Sequence, residues 1–270
     1  MRLSAIHAVV LGIVQGLTEF FPISSSGHLV LVSKLLDIRD NSLAFDTVLH
    51  IGTLAAVVIA FAPQVVALLR HPTSRMVRLI VIATIPTVLI GAVLERPVER
   101  LFASGQTLGV EFIITGLIIF LTESRGATAV QPDSGDGAVD RQHMTWRTAV
   151  IIGCAQGAAV FPALSRSGLT ICAGIGSGLS RSTAVEFSFL LSIPVILGAT
   201  VSQLAKSHAQ IAALGPAAAW GVAASAIAGY AAIAGMRRLV KRRGLAGFGY
   251  YAVAIGLFVI GDQLFGHLVV

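Results

Sequence analysis

Charge is what this 270-residue chain has least of. Asp, Glu, Lys and Arg together make up 12% of it, against roughly 25% in a soluble domain. Hydrophobic residues reach 55% and mean hydropathy is +0.85. A deficit this large excludes an ordinary water-soluble globule and leaves most of the surface facing lipid. Cysteine is almost absent too. Cys154 and Cys172 both lie in apolar runs and are expected as buried small side chains, with no disulfide framework and no metal-ligand spacing. The net charge is +6, yet no basic run carries interleaved aromatics, so the composition speaks against nucleic-acid binding. The cations are expected in loops at the cytoplasmic membrane face. A cleavable leader is not expected. The apolar run after Met1-Arg2-Leu3-Ser4 continues into Gln15, Thr18 and Glu19 without a small-x-small cleavage site.

What the chain does have is long apolar runs. A bilayer core takes about 20 residues of helix. Six stretches reach or approach that length: 46–69, 75–95, 108–123, 184–205, 211–236 and 246–268. Pro86 and Pro194 are expected to kink two of them. Two further regions, 4–36 and 147–180, are apolar but interrupted by polar residues, and each half is too short to span. Non-helical backbone at membrane depth survives only when buried in protein or lining a wet cavity. Each region therefore reads as a re-entrant helix–loop–helix.

These two regions repeat one another. Gln15-Gly16 matches Gln156-Gly157, Phe21-Pro22 matches Phe161-Pro162, and Ser24-Ser25-Ser26-Gly27 matches Ser165-Arg166-Ser167-Gly168. Further on, Phe45, Leu49 and Ile51 match Phe187, Leu191 and Ile193. Each half is one re-entrant pair plus three spans, and an odd number of spans forces the halves into opposite orientations. The expected fold is an all-α membrane protein with an inverted-topology repeat: six transmembrane helices plus two re-entrant pairs. A single membrane domain, 1–270, would comprise a first repeat (1–123), a polar linker (124–146) and a second repeat (147–270).

Loop charge orients it. With the loop after the first span inside, twelve Lys and Arg fall on the cytoplasmic side, the densest group being Arg237–Arg243, and six on the other. That obeys the positive-inside rule and sets both termini outside.

Glu19 and Arg166 sit within apolar segments, where a charge costs a few kcal/mol and is a functional-site hypothesis by default. Around them stand the hydroxyls of Ser24, Ser25, Ser26, Ser165 and Ser167. Gly27 and Gly168 let a backbone approach a ligand. A helix restarting after each loop offers free N–H groups and a positive dipole end to phosphate, and arginine binds phosphate bidentately. The set suits a pyrophosphate. His28 is placed to relay protons or attack phosphorus. Glu19, sharing a helix face with Gln15, is placed to act as a base or to hold a divalent cation. Asp46 and Glu186 read as structural. His50, Glu111, Trp146 and Trp220 read as packing or interfacial residues.

At these motifs the sequence resembles the undecaprenyl-pyrophosphate phosphatase family, the bacitracin-resistance proteins. Gln15-Gly16-Leu17-Thr18-Glu19-Phe20-Phe21-Pro22-Ile23-Ser24-Ser25-Ser26-Gly27-His28-Leu29 is similar to the family's first signature, and Pro162-Ala163-Leu164-Ser165-Arg166-Ser167-Gly168 to its second. The resemblance extends over nearly the whole chain. It implies hydrolysis of undecaprenyl pyrophosphate to the monophosphate carrier of cell-wall synthesis, in the bacterial cytoplasmic membrane, at a site open to the extracytoplasmic side. It also implies a divalent cation, magnesium or calcium. By motif position it makes Glu19, Ser25, His28 and Arg166 the catalytic set, with Gln15, Ser26, Ser165 and Ser167 in support. Two positions depart from the pattern. Gln15 stands where many members have glutamate, and an amide is no base and a poorer metal ligand. Ala163 replaces the usual glycine beside Pro162. The expected partners are the polyprenyl pyrophosphate and membrane lipid, and a homo-oligomer is compatible with the sequence. The competing expectation is an inverted-repeat transporter or flippase for an anion or lipid phosphate, an architecture common in that class.

Overall fold

The structure, a computed structural model, describes residues 4–38, 43–129, 144–242 and 244–266. Helices account for nearly all of them, and no strand occurs among the described residues. In chain order they are α1 (Ala5–Phe20), α2 (Ser25–Leu35), α3 (Leu43–Ala60), α4 (Ala62–Arg70), α5 (Arg75–Ser104), α6 (Leu108–Ala129), α7 (Trp146–Ala158), α8 (Arg166–Gly176), α9 (Arg181–Ala213), α10 (Ala217–Arg242) and α11 (Ala246–Gly261). Most of the expected linker falls outside the described residues.

Four stretches, Arg75–Leu94, Arg181–Ser207, Ala217–Arg242 and Ala246–Gly266, are long and apolar enough to cross a membrane. A fifth is reached when α3 and α4 count as one broken span. The segment expected as one helix over 46–69 is in fact bent by 83°. The cause is local. Pro63 stands in the first turn of α4, where its missing N–H costs nothing, and Phe61 before it leaves helical geometry at φ −115, ψ 27. The two prolines expected to kink spans do not end their helices: α5 runs on to Ser104 and α9 continues past Pro194, its non-helical residue being Ser207. In a long apolar helix the neighbours re-satisfy the carbonyl that proline frees.

Helices of one half pack on helices of the other. α1 lies along α10, α7 along α5, α6 along α11, and α3 along both α9 and α10. The first two contacts use equivalent glycines. A Cβ on Gly12 would lie 2.3 Å from the Gly221 carbonyl oxygen, and one on Gly153 would lie 2.1 Å from that of Ala83. Only hydrogen fits at either place.

A core of buried aromatics runs between the halves. Phe20 meets Phe189 edge-on at 5.2 Å, and Phe61 meets the same ring at 6.2 Å. Large apolar side chains also point outward, among them Leu69, Val93, Ile227 and Phe265. In water such a surface would aggregate, and in lipid it is the favoured one. Cys172 is buried as expected, whereas Cys154 is exposed. It sits on the outward side of α7, where a small weakly polar side chain is as well accommodated by hydrocarbon as by a core.

Candidate active site

The two Ser/Gly motifs come together at the centre of the molecule. Pro22 cannot continue the helix before it, and a residue preceding proline is pushed to extended geometry. Phe21 accordingly leaves α1 at φ −77, ψ 143, whereas α7 already ends at Ala158, ahead of Pro162. The chain then turns and restarts. Ser24 caps α2, its Oγ accepting from Gly27 N at 3.4 Å, and Ser165 caps α8, its Oγ accepting from Gly168 N at 3.0 Å. The two caps have the same chemistry and different backbones. Ser165 is extended at φ −75, whereas Ser24 sits at φ +68, ψ 113, a conformation that L residues rarely adopt.

The loops lock one another in reciprocal fashion. The Ser24 hydroxyl donates to the Pro162 carbonyl and the Ser167 hydroxyl to the Phe21 carbonyl, each at 3.0 Å. α6 supports the second loop from outside. Ala163 N–H donates to Glu111 Oε2 at 2.5 Å, and Ser165 N–H to Thr115 Oγ1 at 3.1 Å. The alanine at position 163 is thus held by its backbone, and its methyl lies against Gly27, where a Cβ would stand 3.1 Å from it and 2.5 Å from Phe112 Cζ.

Glu19 is the hub. Its Oε1 accepts from Arg166 Nη2 at 2.6 Å. Its Oε2 accepts from the Ser25 hydroxyl at 2.6 Å and from Gln15 Nε2 at 3.1 Å. Both charges of the Glu19–Arg166 pair are largely buried, so each neutralises the other where an unpaired charge would be costly. Arg166 Nη1 is buried without a hydrogen-bond partner, and guanidinium keeps N–H groups there for an incoming acceptor.

Beside this hub opens a cavity of about 350 Å³. Glu19, Ser24, Ser25, Ser26, Ser165, Arg166 and Ser167 line it. Both restarting helices, α2 and α8, thus present their N-terminal ends to one space. The walls come from Asp46, Thr47 and His50 on α3 and from Val195, Ile196, Ala199, Thr200 and Gln203 on α9.

Of the remaining motif residues, Gln15, Gly27, His28 and Gly168 do not line this cavity. Gln15 braces Glu19 from behind. His28 lies on the other side of α2. Its Nδ1 is 2.5 Å from the Ser24 carbonyl, its Nε2 is 2.8 Å from the Tyr251 hydroxyl, and its ring stacks on Tyr251 and meets Phe112 edge-on. It holds the Ser24 turn in place. Three polar residues at or beside the site escaped the motif reading. Asp46 and His50 face the cavity, and Glu111 holds the second loop.

A protein-held divalent cation finds a poor donor set here. Both Glu19 oxygens already accept from Arg166, Ser25 and Gln15. Among the described residues no group of three or more His, Cys, Asp or Glu is arranged to hold a metal. Hard cations want several free oxygens at once.

Comparison with known proteins agrees with the motifs. The family described as "Bacitracin resistance protein BacA" matches residues 8–258. The chain is 41% identical to an undecaprenyl-diphosphatase of Carboxydothermus hydrogenoformans over 98% of its length and 99% of that protein's. It is 38% identical to undecaprenyl-diphosphatase 4 of Bacillus thuringiensis, over 96% and 97% of the two chains. An undecaprenyl-diphosphatase of Methanosphaera stadtmanae is 36% identical over 96% and 98%. With a family match that takes in both motifs and most of the chain, the chain belongs to the BacA bacitracin-resistance family.

Proposed function

We propose that this protein is an integral membrane phosphatase that hydrolyses undecaprenyl diphosphate to undecaprenyl phosphate and phosphate. The observation that carries this reading is the Ser25–Glu19–Arg166 constellation. A hydroxyl is hydrogen-bonded to a carboxylate, and a guanidinium with an unused nitrogen stands across a cavity fed by two helix N-termini. Arg166 and the N–H groups at the starts of α2 and α8 bind the diphosphate and stabilise charge on the transferring phosphoryl group. Ser25 Oγ attacks the terminal phosphorus while Glu19 Oε2 takes its proton. Water then releases phosphate from the serine. Gln15, Ser26, Ser165 and Ser167 position these groups, and His28 fixes the turn that aims Ser25. The family resemblance implies magnesium or calcium, but among the described residues no group of three or more His, Cys, Asp or Glu would hold it, so no step here is routed through a metal.

The same reading extends to architecture. The reciprocal packing of the halves, the matched glycines and the crossed serine bonds support an inverted repeat with two re-entrant pairs, α1–α2 and α7–α8, meeting near mid-membrane. The cavity is walled by the beginning of α3 and the later part of α9, away from the Arg181–Glu123 ion pair and the cationic end of α10. With those cations inside, the site opens to the extracytoplasmic side. The prenyl tail lies along the apolar face of α9, where Leu197 and Val201 already point outward.

Phosphate release from undecaprenyl diphosphate by detergent-purified protein tests the activity and separates it from transport without chemistry. Arg166→Ala and Glu19→Ala should each lower turnover about 10²–10³-fold. Ser25→Ala should abolish both turnover and a trappable phosphoserine. Near-normal turnover in Ser25→Ala would exclude serine as the nucleophile.

A further inference from the structure

Two titratable side chains face the cavity from outside both motifs, Asp46 and His50, and the second of them stands beside the hub. His50, on the second turn of α3, lies with Nδ1 2.7 Å from the backbone carbonyl of Asp46 one turn earlier. A carbonyl oxygen only accepts, so in the neutral ring the proton sits on Nδ1 and Nε2 keeps its lone pair. That lone pair is 3.7 Å from Glu19 Oε2, the same oxygen that accepts the Ser25 hydroxyl. The His50 side chain is 28% exposed, and the space it faces is the cavity. His28, by contrast, has both ring nitrogens within hydrogen-bond distance of protein partners.

The reaction needs an exit for a proton. Hydrolysis of a fully ionised diphosphate monoester gives two dianions and one net proton. When Ser25 Oγ bonds to the terminal phosphorus, the bridging P–O bond breaks and its electron pair leaves with the lipid phosphate. The serine proton passes to Glu19 Oε2. It cannot rest there without cost, because a neutral Glu19 strands the Arg166 charge in a buried site. Gln15, on the other side of Glu19, is an amide and takes no proton. We propose that His50 Nε2 receives this proton from Glu19, directly as the side chains close the gap or across one water, and delivers it to the cavity with the products. In the second half, water forms the new P–O bond and gives one proton to Ser25 Oγ as the Oγ–P bond breaks. The proton on His50 is then the one that leaves. Asp46 faces the same cavity, and its buried Oδ1 has no hydrogen-bond partner. It supports the positive ring while the proton is held. His50 acts through Glu19, and Ser25 and Arg166 remain the groups that meet the substrate.

This inference rests on the phosphatase reading, and one experiment separates the two. Phosphate release from undecaprenyl diphosphate is measured with the purified full chain for wild type, His50→Ala, His50→Gln and His28→Ala, each with and without added imidazole. A lost proton acceptor typically costs about 10²-fold in kcat. His50→Ala and His50→Gln should both lose on that order, with KM within about twofold of wild type, and imidazole should restore His50→Ala severalfold. His50→Gln keeps a polar side chain of similar reach, so it controls for folding: its thermal unfolding should match wild type. His28→Ala should gain nothing from imidazole. Near wild-type kcat in His50→Gln, or losses in His50→Ala that imidazole leaves unchanged, overturns the relay. An inactive wild type overturns the phosphatase reading and the relay with it.

Discussion

Glu19 and Arg166 set the energetics of the site because neither is affordable alone. They come from opposite halves of the chain and meet at 2.6 Å with both side chains mostly out of solvent. Removing either leaves a buried charge, which typically costs about 3–5 kcal/mol, whereas removing both leaves only a polar gap. Thermal unfolding in detergent should therefore show Glu19→Ala and Arg166→Ala each strongly destabilised, and the double variant less destabilised than the sum of the two. Simple additivity would mean that the pair is not coupled. These two residues were legible in the sequence for the same physical reason: a charge in an apolar run has to be explained. His50 and Glu111 were not legible. Each is a single polar residue near a span end, and what it does depends on which loop packs against it. Glu111 reaches Ala163 N–H across the fold, and His50 reaches Glu19 only because α3 lies beside α1. No spacing along the chain carries that information.

At the scale of elements, two restarting helices make the site, and their caps hold different amounts of strain. Ser165 caps α8 from an ordinary extended conformation. Ser165→Ala should cost about 1 kcal/mol, the usual worth of such a cap. Ser24 does the same job at φ +68 and also donates to the Pro162 carbonyl. Alanine there would lose both bonds and keep the unfavourable backbone. Glycine would lose the bonds and relieve the backbone, whose strain is worth about 1–3 kcal/mol. Ser24→Gly should therefore unfold at a higher temperature than Ser24→Ala, and the reverse order would show that the turn is not strained. The position of the breaks was readable, since each loop announces itself with Phe-Pro and a Ser-x-Ser-Gly run. Other boundaries were less so. The bend after Phe61 lies inside an unbroken apolar run, where hydropathy alone sees one span. The passage of α9 through Pro194 depends on neighbours that propensity ignores.

The proposed architecture sets the halves in the membrane in opposite senses with the cavity on the outer side, and this can be measured in intact cells. The background is a chain with the exposed Cys154 replaced by alanine, leaving Cys172 buried. Two positions report the sides: Leu36, 41% exposed at the end of α2, and Thr73, exposed between α4 and α5. Loop cations place Thr73 with Arg70, Arg75 and Arg78 on the inside. A membrane-impermeant maleimide added to whole cells should label Leu36→Cys and spare Thr73→Cys until the cells are opened. Chain direction ties that result to the site. α3 begins on the Leu36 side and carries Asp46, Thr47 and His50 in its first turns, so the face that labels Leu36→Cys is the face the cavity opens to. Labelling of Thr73→Cys alone would invert the protein and turn the site to the cytoplasm. The same two cysteines thus decide from which face of the membrane the proposed Ser25–Glu19–Arg166 centre takes its substrate.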